Sequence, residues 1–159
     1  MTRTTTLTLA LAVCLAAPAA LAADAARTIK TAAVPEATWE AVGDFCAIAA
    51  WHPAVTKCEL SDNGGTPRRT LTLDGGGTIV EDLVGRDDDA MSYTYRIIES
   101  PLPVAGYEST IKVSAEGEGS RVDWNGSFEP SGASEDEALT VIEGIYDAGL
   151  DGIKTTAEQ

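Results

Sequence analysis

Apolar and polar residues alternate through most of the chain between residues 54 and 128. A two-residue period is the pattern of a strand with one buried face, and clusters of Gly, Asp, Asn and Pro between the alternating runs are typical of turns. The pattern predicts strands over 54–60, 68–73, 78–84, 91–98, 106–113 and 121–128. A further strand is expected over 27–34, ahead of the helical segments.

Two short helices are predicted between the first strand and the second. Pro35 is suited to the first turn of a helix, and the segment PEATWEAVGD places Trp39 and Val42 on one face before Gly43 ends it. The segment FCAIAA fits a second short helix, which Pro53 ends.

A long amphipathic helix is predicted at the C-terminal end, from about Ser134 to about Thr155. Ser134 is a suitable N-cap, with Glu137 three residues later to complete a capping box. The apolar positions of this helix recur at helical spacing: Leu139, Ile142, Tyr146, Leu150 and Ile153.

The order of these elements predicts the architecture. A meander of strands with one apolar face must bury that face against another layer, and the amphipathic helix can cover it. We therefore expect an α+β fold in which a curved antiparallel seven-stranded sheet wraps around the C-terminal helix. Such an arrangement leaves room for a ligand cavity between sheet and helix.

Residues 1–22 have the features of a signal peptide. Arg3 precedes an apolar run over 7–17 and the small-residue pattern Ala20-Leu21-Ala22, which predicts cleavage after Ala22. The apolar run is too short to span a bilayer. We expect a soluble periplasmic or secreted protein with one domain over 23–159, and no stable insertion in a membrane.

The chain is strongly acidic, with a formal net charge of −14, and loss of Arg3 with the leader would make it −15. A surface of this charge repels phosphate-bearing partners, which excludes nucleic acid and anionic membranes as partners. It suits solubility, and it would also suit a basic protein partner.

Cys46 and Cys58 are the cysteines outside the leader. In an oxidising compartment such a pair usually forms a disulfide, although two buried free thiols would also fit the sequence. With His52 as the single histidine, they fall short of the four ligands of a structural zinc site, so no metal is expected.

Parity along the strands predicts which side chains face the helix. Arg69 shares the face of Leu71 and Leu73, and Glu81 shares the face of Ile79 and Leu83. If the turn at 74–77 sets the register, Arg69 lies opposite Glu81, either as a structural ion pair or as polar groups for a ligand. The same reasoning turns several further residues inward: Tyr93, Tyr95, Tyr107, Ser109, Trp124 and, on the helix, Tyr146.

Several segments together resemble the START-like, birch-pollen-allergen-like superfamily of polyketide cyclases/dehydrases and lipid-transport proteins. They are TWEAVGDFCAIAAWHPAVTKCEL, RTLTLDGGGTIVEDLV, YTYRIIESPLPVAGYESTIKV and VDWNGSFEP, followed by the closing helix. The resemblance covers nearly all of the mature chain and identifies it as a secreted, bacterial-type member. It implies the helix-grip fold and a hydrophobic cavity beneath the C-terminal helix, but the reaction differs between members.

Similarity to the abscisic acid receptors of this superfamily implies roles for single residues. His52 stands where those receptors have a ligand-contacting lysine, and Glu81, Tyr107 and Ser109 match residues that line their pocket. DGGG and ESPLPV match their gate and latch loops. This implies that a cationic His52 holds an anionic or polar end of a ligand, so that binding weakens as pH rises past its pKa. Hormone specificity and the phosphatase partner do not carry over, because His52 and the shorter gate loop depart from the receptors.

Three functions fit these observations. The first is a binding protein for a small hydrophobic or amphipathic ligand, without catalysis or cofactor, that uses the following residues: His52, Arg69, Glu81, Tyr93, Tyr95, Tyr107, Ser109, Trp124 and Tyr146. The second is a cyclase or dehydratase in which His52, Glu81 and a tyrosine handle protons at the polar end of the cavity. The third is an accessory protein to a periplasmic oxidation system, whose basic partner would meet the acidic surface.

Overall fold

The computed structural model describes residues 22–159, and the order of its elements is the predicted one. Except for Ala22, the expected signal peptide lies outside the described residues. The strands are β1 (Ala23–Thr31), β2 (Val55–Asn63), β3 (Thr66–Leu73), β4 (Thr78–Asp87), β5 (Ser92–Glu99), β6 (Val104–Glu116) and β7 (Gly119–Pro130). The helices are α1 (Pro35–Val42), α2 (Ile48–Trp51) and α3 (Glu135–Ala157).

One antiparallel sheet contains all seven strands, in the order β1-β7-β6-β5-β4-β3-β2. The sheet curves around α3, as the helix-grip fold requires, and α3 packs most extensively against β1 and α1. The buried face of α3 is largely the predicted one: Ala138, Ile142, Tyr146, Gly149, Leu150 and Ile153. The core of the molecule therefore lies between this helix face and the concave face of the sheet.

The N-terminus of α3 has the capping box that the sequence predicts. The Ser134 hydroxyl accepts the main-chain N–H of Glu137 at 3.4 Å, and the Glu137 carboxylate accepts the main-chain N–H of Ser134 at 3.0 Å. These two bonds satisfy donors that a helix end leaves unpaired.

Strand β1 differs from its predicted position, because it begins four residues earlier and ends before residue 32. Its pairing with β7 runs from Ala23 opposite Phe128 to Thr31 opposite Ser120. Ala23 and Ala25 are buried, but alanine contributes so little to an apolar pattern that periodicity does not reveal this part of the strand.

Cys46 and Cys58 form the predicted disulfide, with their Cα atoms 5.5 Å apart. The bond joins the segment between α1 and α2 to β2, one of the two edge strands of the sheet. It thereby holds Phe45, the residue before Cys46, over the concave face.

Replacing both cysteines by serine should lower the free energy of unfolding by about 2–3 kcal/mol, because the unfolded chain is then free of a closed loop. Urea unfolding of native protein and of Cys46→Ser/Cys58→Ser measures the difference. As a control, the reductant-treated native protein should match the double variant. Two titratable thiols in unreduced, denatured native protein would contradict the disulfide.

Candidate functional site

A cavity of about 240 Å³ lies between α3, α2 and the concave face of β2 to β7. Most of its lining is aliphatic: Ile48, Ala54, Val55, Leu71, Leu73, Ile79, Ile97, Leu102, Ile142 and Ile145. The rest consists of His52, Glu81, Tyr95, Tyr107 and Trp124. An apolar cavity with a few convergent polar groups is the usual form of a small-molecule site. A wider depression over β1, β6 and β7 lies on the outer, solvent-facing side of the sheet.

Five of the residues singled out in the sequence line this cavity, and the other four do not. Arg69 extends between Glu81 and Phe45, and Tyr93 packs against Phe45 and Trp39. Ser109 and Tyr146 lie beside Trp124, behind the wall of the cavity, where they bond to residues that do line it. Parity placed these four residues on the face that packs against the helix, but it did not distinguish the wall of the cavity from the layer behind it. Ligand contact by these four residues stays a prediction.

Arg69 and Glu81 form the predicted cross-strand pair. They are register partners between β3 and β4, and the Nε of Arg69 donates to Oε2 of Glu81 at 2.5 Å. Arg69 is fully buried, and its Nη1 also donates to the main-chain oxygen of Phe45. Its guanidinium carbon lies 4.1 Å from the centre of the Phe45 ring and 5.0 Å from that of Tyr95. The guanidinium is thus enclosed by a carboxylate, a carbonyl and two aromatic rings.

The two charges of this pair act on each other's pKa. Burial opposes the charge of Arg69, but the Glu81 carboxylate, together with Tyr93 and Tyr95, outweighs burial and raises the pKa of Arg69. Burial raises the pKa of Glu81, and the guanidinium opposes that shift. Because an arginine cannot shed its proton, a neutral Glu81 would leave the buried Arg69 charge without its counter-ion. We therefore treat the pair as ionic.

His52 is buried at the C-terminal end of α2, and the protein itself engages both of its ring nitrogens. Nδ1 accepts the main-chain N–H of Ala54 at 3.1 Å, which requires that Nε2 carries the hydrogen of a neutral ring. Nε2 accordingly donates to the main-chain oxygen of Ile145 at 3.1 Å. Burial lowers the pKa of His52, the charge of Arg69 lowers it further, and the Ile145 carbonyl opposes this shift. These contacts favour a neutral ring over the cationic role that the receptor resemblance implied, and ligand contact by His52 stays a prediction.

Two glycines of α3 allow the chain around His52 to approach the helix closely. A Cβ atom at Gly149 would lie 2.8 Å from Cδ2 of His52 and 2.5 Å from Cζ3 of Trp124. One at Gly152 would lie 1.8 Å from the main-chain oxygen of Trp51. Glycine is unfavourable inside a helix by about 1 kcal/mol relative to alanine, and close packing explains it at both positions.

Four buried hydroxyl groups and one indole form a hydrogen-bonded network along one side of the cavity. The Tyr107 hydroxyl oxygen lies 3.2 Å from that of Tyr95 and 2.7 Å from that of Tyr146. The Tyr146 hydroxyl lies 3.0 Å from Oγ of Ser109, and Nε1 of Trp124 donates to both Ser109 and Tyr95. Burial raises the pKa of both Tyr95 and Tyr107 well above the ordinary value, so both remain protonated near neutral pH.

The two loops that the resemblance matched to a gate and a latch lie next to each other. A Cβ atom at Gly77, in the turn between β3 and β4, would lie 3.9 Å from Cγ of Pro101. The residue after Pro101, Leu102, lines the cavity. Both loops therefore lie at the same side of the cavity.

Ile145 is the most informative residue that sequence reasoning missed. Its side chain lines the cavity and its main-chain oxygen accepts the His52 hydrogen bond. It follows Ile142 by three positions, so an apolar face widened by one residue would have included it.

Within residues 22–159, no three His, Cys, Asp or Glu side chains are grouped so that they could hold a metal ion. The helices over the same range include none that is long and apolar enough to cross a membrane.

Comparison with known proteins gives a family match over nearly the whole described chain. Residues 22–158 match the family model described as polyketide cyclase/dehydrase and lipid transport. No functionally curated protein matches the chain.

Similar solved structures come from several bacteria. The protein XoxI from Bacillus cereus is 32% identical, with a TM-score of 0.78 over 84% of this chain and 94% of that one. An uncharacterized protein from Bacillus thuringiensis is also 32% identical, with a TM-score of 0.79 over 86% of this chain and 100% of that one. The ZhuI aromatase/cyclase from Streptomyces is 20% identical, with a TM-score of 0.70 over 87% of this chain and 94% of that one, a likeness of fold alone.

The Arg69–Glu81 pair should show strong coupling in a double-mutant cycle. Arg69→Met or Glu81→Leu alone should each lower the free energy of unfolding by about 3–5 kcal/mol, because each leaves a buried charge without its partner. The double variant should lose less than either single variant. Urea unfolding of the four proteins measures this.

A matched control is the half-exposed pair Arg27–Glu143, whose nitrogen and oxygen are 2.6 Å apart. Replacing either partner of that pair should lower the free energy of unfolding far less than replacing Arg69 or Glu81, because solvent screens the charge that remains. Additive losses at Arg69 and Glu81 would contradict the buried ion pair.

His52 should make the protein less stable in acid. The unfolded state binds a proton at His52 below about pH 6.5, whereas the folded state resists protonation because its pKa is lowered. The contribution of neutral His52 to the free energy of unfolding is therefore complete above pH 6.5. Below that pH it falls by up to about 1.4 kcal/mol per pH unit. Urea unfolding from pH 8 to pH 5 should show this fall in native protein relative to His52→Gln. Parallel stability curves would contradict the neutral, buried imidazole.

Proposed function

This chain belongs to the polyketide cyclase/dehydrase and lipid-transport family, and we propose that it binds a small, mainly apolar molecule beneath α3 without transforming it. The observation that carries the proposal is the cavity of about 240 Å³ between α3 and the sheet, which is lined mostly by aliphatic side chains. Burying an apolar ligand there releases water from both surfaces and stabilises the complex.

The volume of the cavity favours a compact ligand. A cavity of about 150 Å³ is known to hold benzene, which has six carbon atoms. On that scale 240 Å³ suits about ten non-hydrogen atoms. A two-ring molecule has this size, whereas a polycyclic polyketide or a long acyl chain exceeds it.

Catalysis by a cyclase or dehydratase mechanism is less well supported than binding. The catalytic roles would fall to His52 and Glu81, and a general base needs a free lone pair within reach of the substrate. The Nδ1 lone pair of His52 already accepts the N–H of Ala54, and Glu81 is paired with the charge of Arg69. Each group would have to give up a structural bond before it could move a proton.

We further propose that the protein works outside the cytoplasm, in the periplasm or after secretion. The apolar leader over 1–22 and the Cys46–Cys58 disulfide support this location. An accessory role beside a basic partner has only the leader and the acidic charge in its support, and the cavity favours ligand binding.

Naphthalene, with ten carbon atoms, is a suitable probe of the cavity. Ile97 lines the cavity, whereas the adjacent Ile98 is exposed on the outer face of the same strand. In equilibrium dialysis, Ile97→Trp should bind naphthalene at least tenfold more weakly than native protein, because the indole fills the cavity. Ile98→Trp is the matched control and should bind like native protein. Equal binding by native protein and Ile97→Trp, or no binding by native protein, would overturn the proposed function.

A further inference from the structure

The hydrogen atom of Ser109 determines the direction of the buried hydroxyl network. Its Oγ donates to the main-chain oxygen of Asn125 at 2.8 Å, so the hydroxyl has no further hydrogen to offer. Towards its other neighbours Ser109 therefore only accepts. It accepts from Nε1 of Trp124 at 3.0 Å and from the hydroxyl of Tyr146 at 3.0 Å.

The remaining hydroxyl hydrogens follow from this one. Tyr146 donates to Ser109, so it must accept from Tyr107 at 2.7 Å. Tyr107 thus donates its hydroxyl hydrogen to Tyr146, so it must accept the hydrogen bond from Tyr95 at 3.2 Å. Tyr95 accepts in turn from Trp124 at 3.1 Å. Every hydrogen in the chain from Tyr95 to Ser109 is bound to a protein oxygen, and the free capacity that remains on the tyrosines is for accepting.

His52 adds no free donor to the cavity. Its Nε2 hydrogen is bound to the main-chain oxygen of Ile145, and its Nδ1 lone pair is occupied by the N–H of Ala54. The imidazole therefore contributes shape and apolar surface to the wall.

Among the polar groups on the wall, Glu81 has the most acceptor positions without a hydrogen-bond partner. A carboxylate has about four acceptor positions, and Arg69 is its hydrogen-bond partner among the described side chains. Arg69 is fully buried and is not among the residues that line the cavity. Its Nη2 has no hydrogen-bond partner among the described residues, but it lies behind the wall rather than on it. The polar part of the wall thus presents acceptors, foremost the Glu81 carboxylate, and no uncommitted hydrogen.

We propose that the cavity selects a compact, neutral ligand that donates a hydrogen bond to Glu81, which means a phenol or an alcohol. This inference rests on the proposed function, because it names the class of molecule that the cavity binds. The chemistry of the wall sets this choice: a hydroxyl group supplies the one thing that the wall lacks.

Other polar ligands of the same size fit less well. An ether or a ketone would bury an acceptor that finds no donor in the wall, which weakens binding. A carboxylate would in addition place a second negative charge beside Glu81. An ammonium group would have to shed its hydration close to the guanidinium of Arg69, which lies 5.0 Å from the ring of Tyr95.

Equilibrium dialysis with five naphthalene derivatives tests the proposal. The probes are naphthalene, 2-naphthol, 2-methoxynaphthalene, 2-naphthoate and 2-naphthylmethylammonium. At pH 7 the native protein should bind 2-naphthol at least tenfold more tightly than each of the other four.

The outcomes separate this proposal from the proposed function. If naphthalene, 2-naphthol and 2-methoxynaphthalene bind equally, the preference for a donor is overturned while ligand binding stands. Tightest binding of the carboxylate or the ammonium compound also overturns it. If none of the five binds, both proposals fail.

Tyr107→Phe tests the direction of the hydrogen-bond chain. Removing the Tyr107 oxygen releases the hydrogen of Tyr95, which can then be donated to a ligand. The ratio of the dissociation constant of 2-methoxynaphthalene to that of 2-naphthol should therefore fall at least threefold from its value in native protein. Tyr93→Phe is the matched control and should keep the native preference, because Tyr93 neither lines the cavity nor belongs to the chain. An unchanged preference in Tyr107→Phe would overturn the proposal.

The double variant Arg69→Met/Glu81→Leu removes the proposed acceptor and leaves no unpaired buried charge, because both partners of the ion pair are replaced. In this variant 2-naphthol and naphthalene should bind within about twofold of each other. Circular dichroism checks that the variant is folded. A preference for 2-naphthol that persists in the folded variant would exclude Glu81 as the acceptor.

Discussion

The need to neutralise one buried positive charge organises this molecule. Arg69 projects from β3 into the interior, where an unpaired charge would be prohibitive. Glu81 on β4 supplies the counter-charge, and the ring and carbonyl of Phe45 complete the enclosure. Phe45 is held there by the neighbouring Cys46–Cys58 disulfide. The same carboxylate that satisfies Arg69 also faces the cavity, so one electrostatic requirement fixes both the packing and the polar character of the site.

The protein itself binds the hydrogens of His52 and of the hydroxyl chain beside the cavity. His52 is bonded at both nitrogens, and the hydroxyl chain ends on a main-chain carbonyl. Members of one fold carry out different reactions, so these contacts describe the site more closely than the fold does.

Much of the fold could be predicted because its causes are local. The two-residue period and the tight turn at 74–77 determine the Arg69–Glu81 register, and helical spacing with a capping box determines α3. The disulfide followed from the cysteine count and the expected compartment. Strand β1 was displaced in the prediction because its first residues are alanines, whose burial depends on pairing with β7 rather than on any pattern of their own.

The sequence by itself determined the order of the elements, the face on which each candidate side chain lies and the pairing of the two buried charges. Only the tertiary structure decided which of those side chains reach the cavity, because parity gives a direction and not a depth: Tyr95 and Tyr107 line the wall, whereas Ser109 and Tyr146 lie behind it. It also decided the state of His52. The carbonyl that receives its hydrogen belongs to Ile145, 93 residues away in the chain, and comes within reach where Gly149 lets α3 approach.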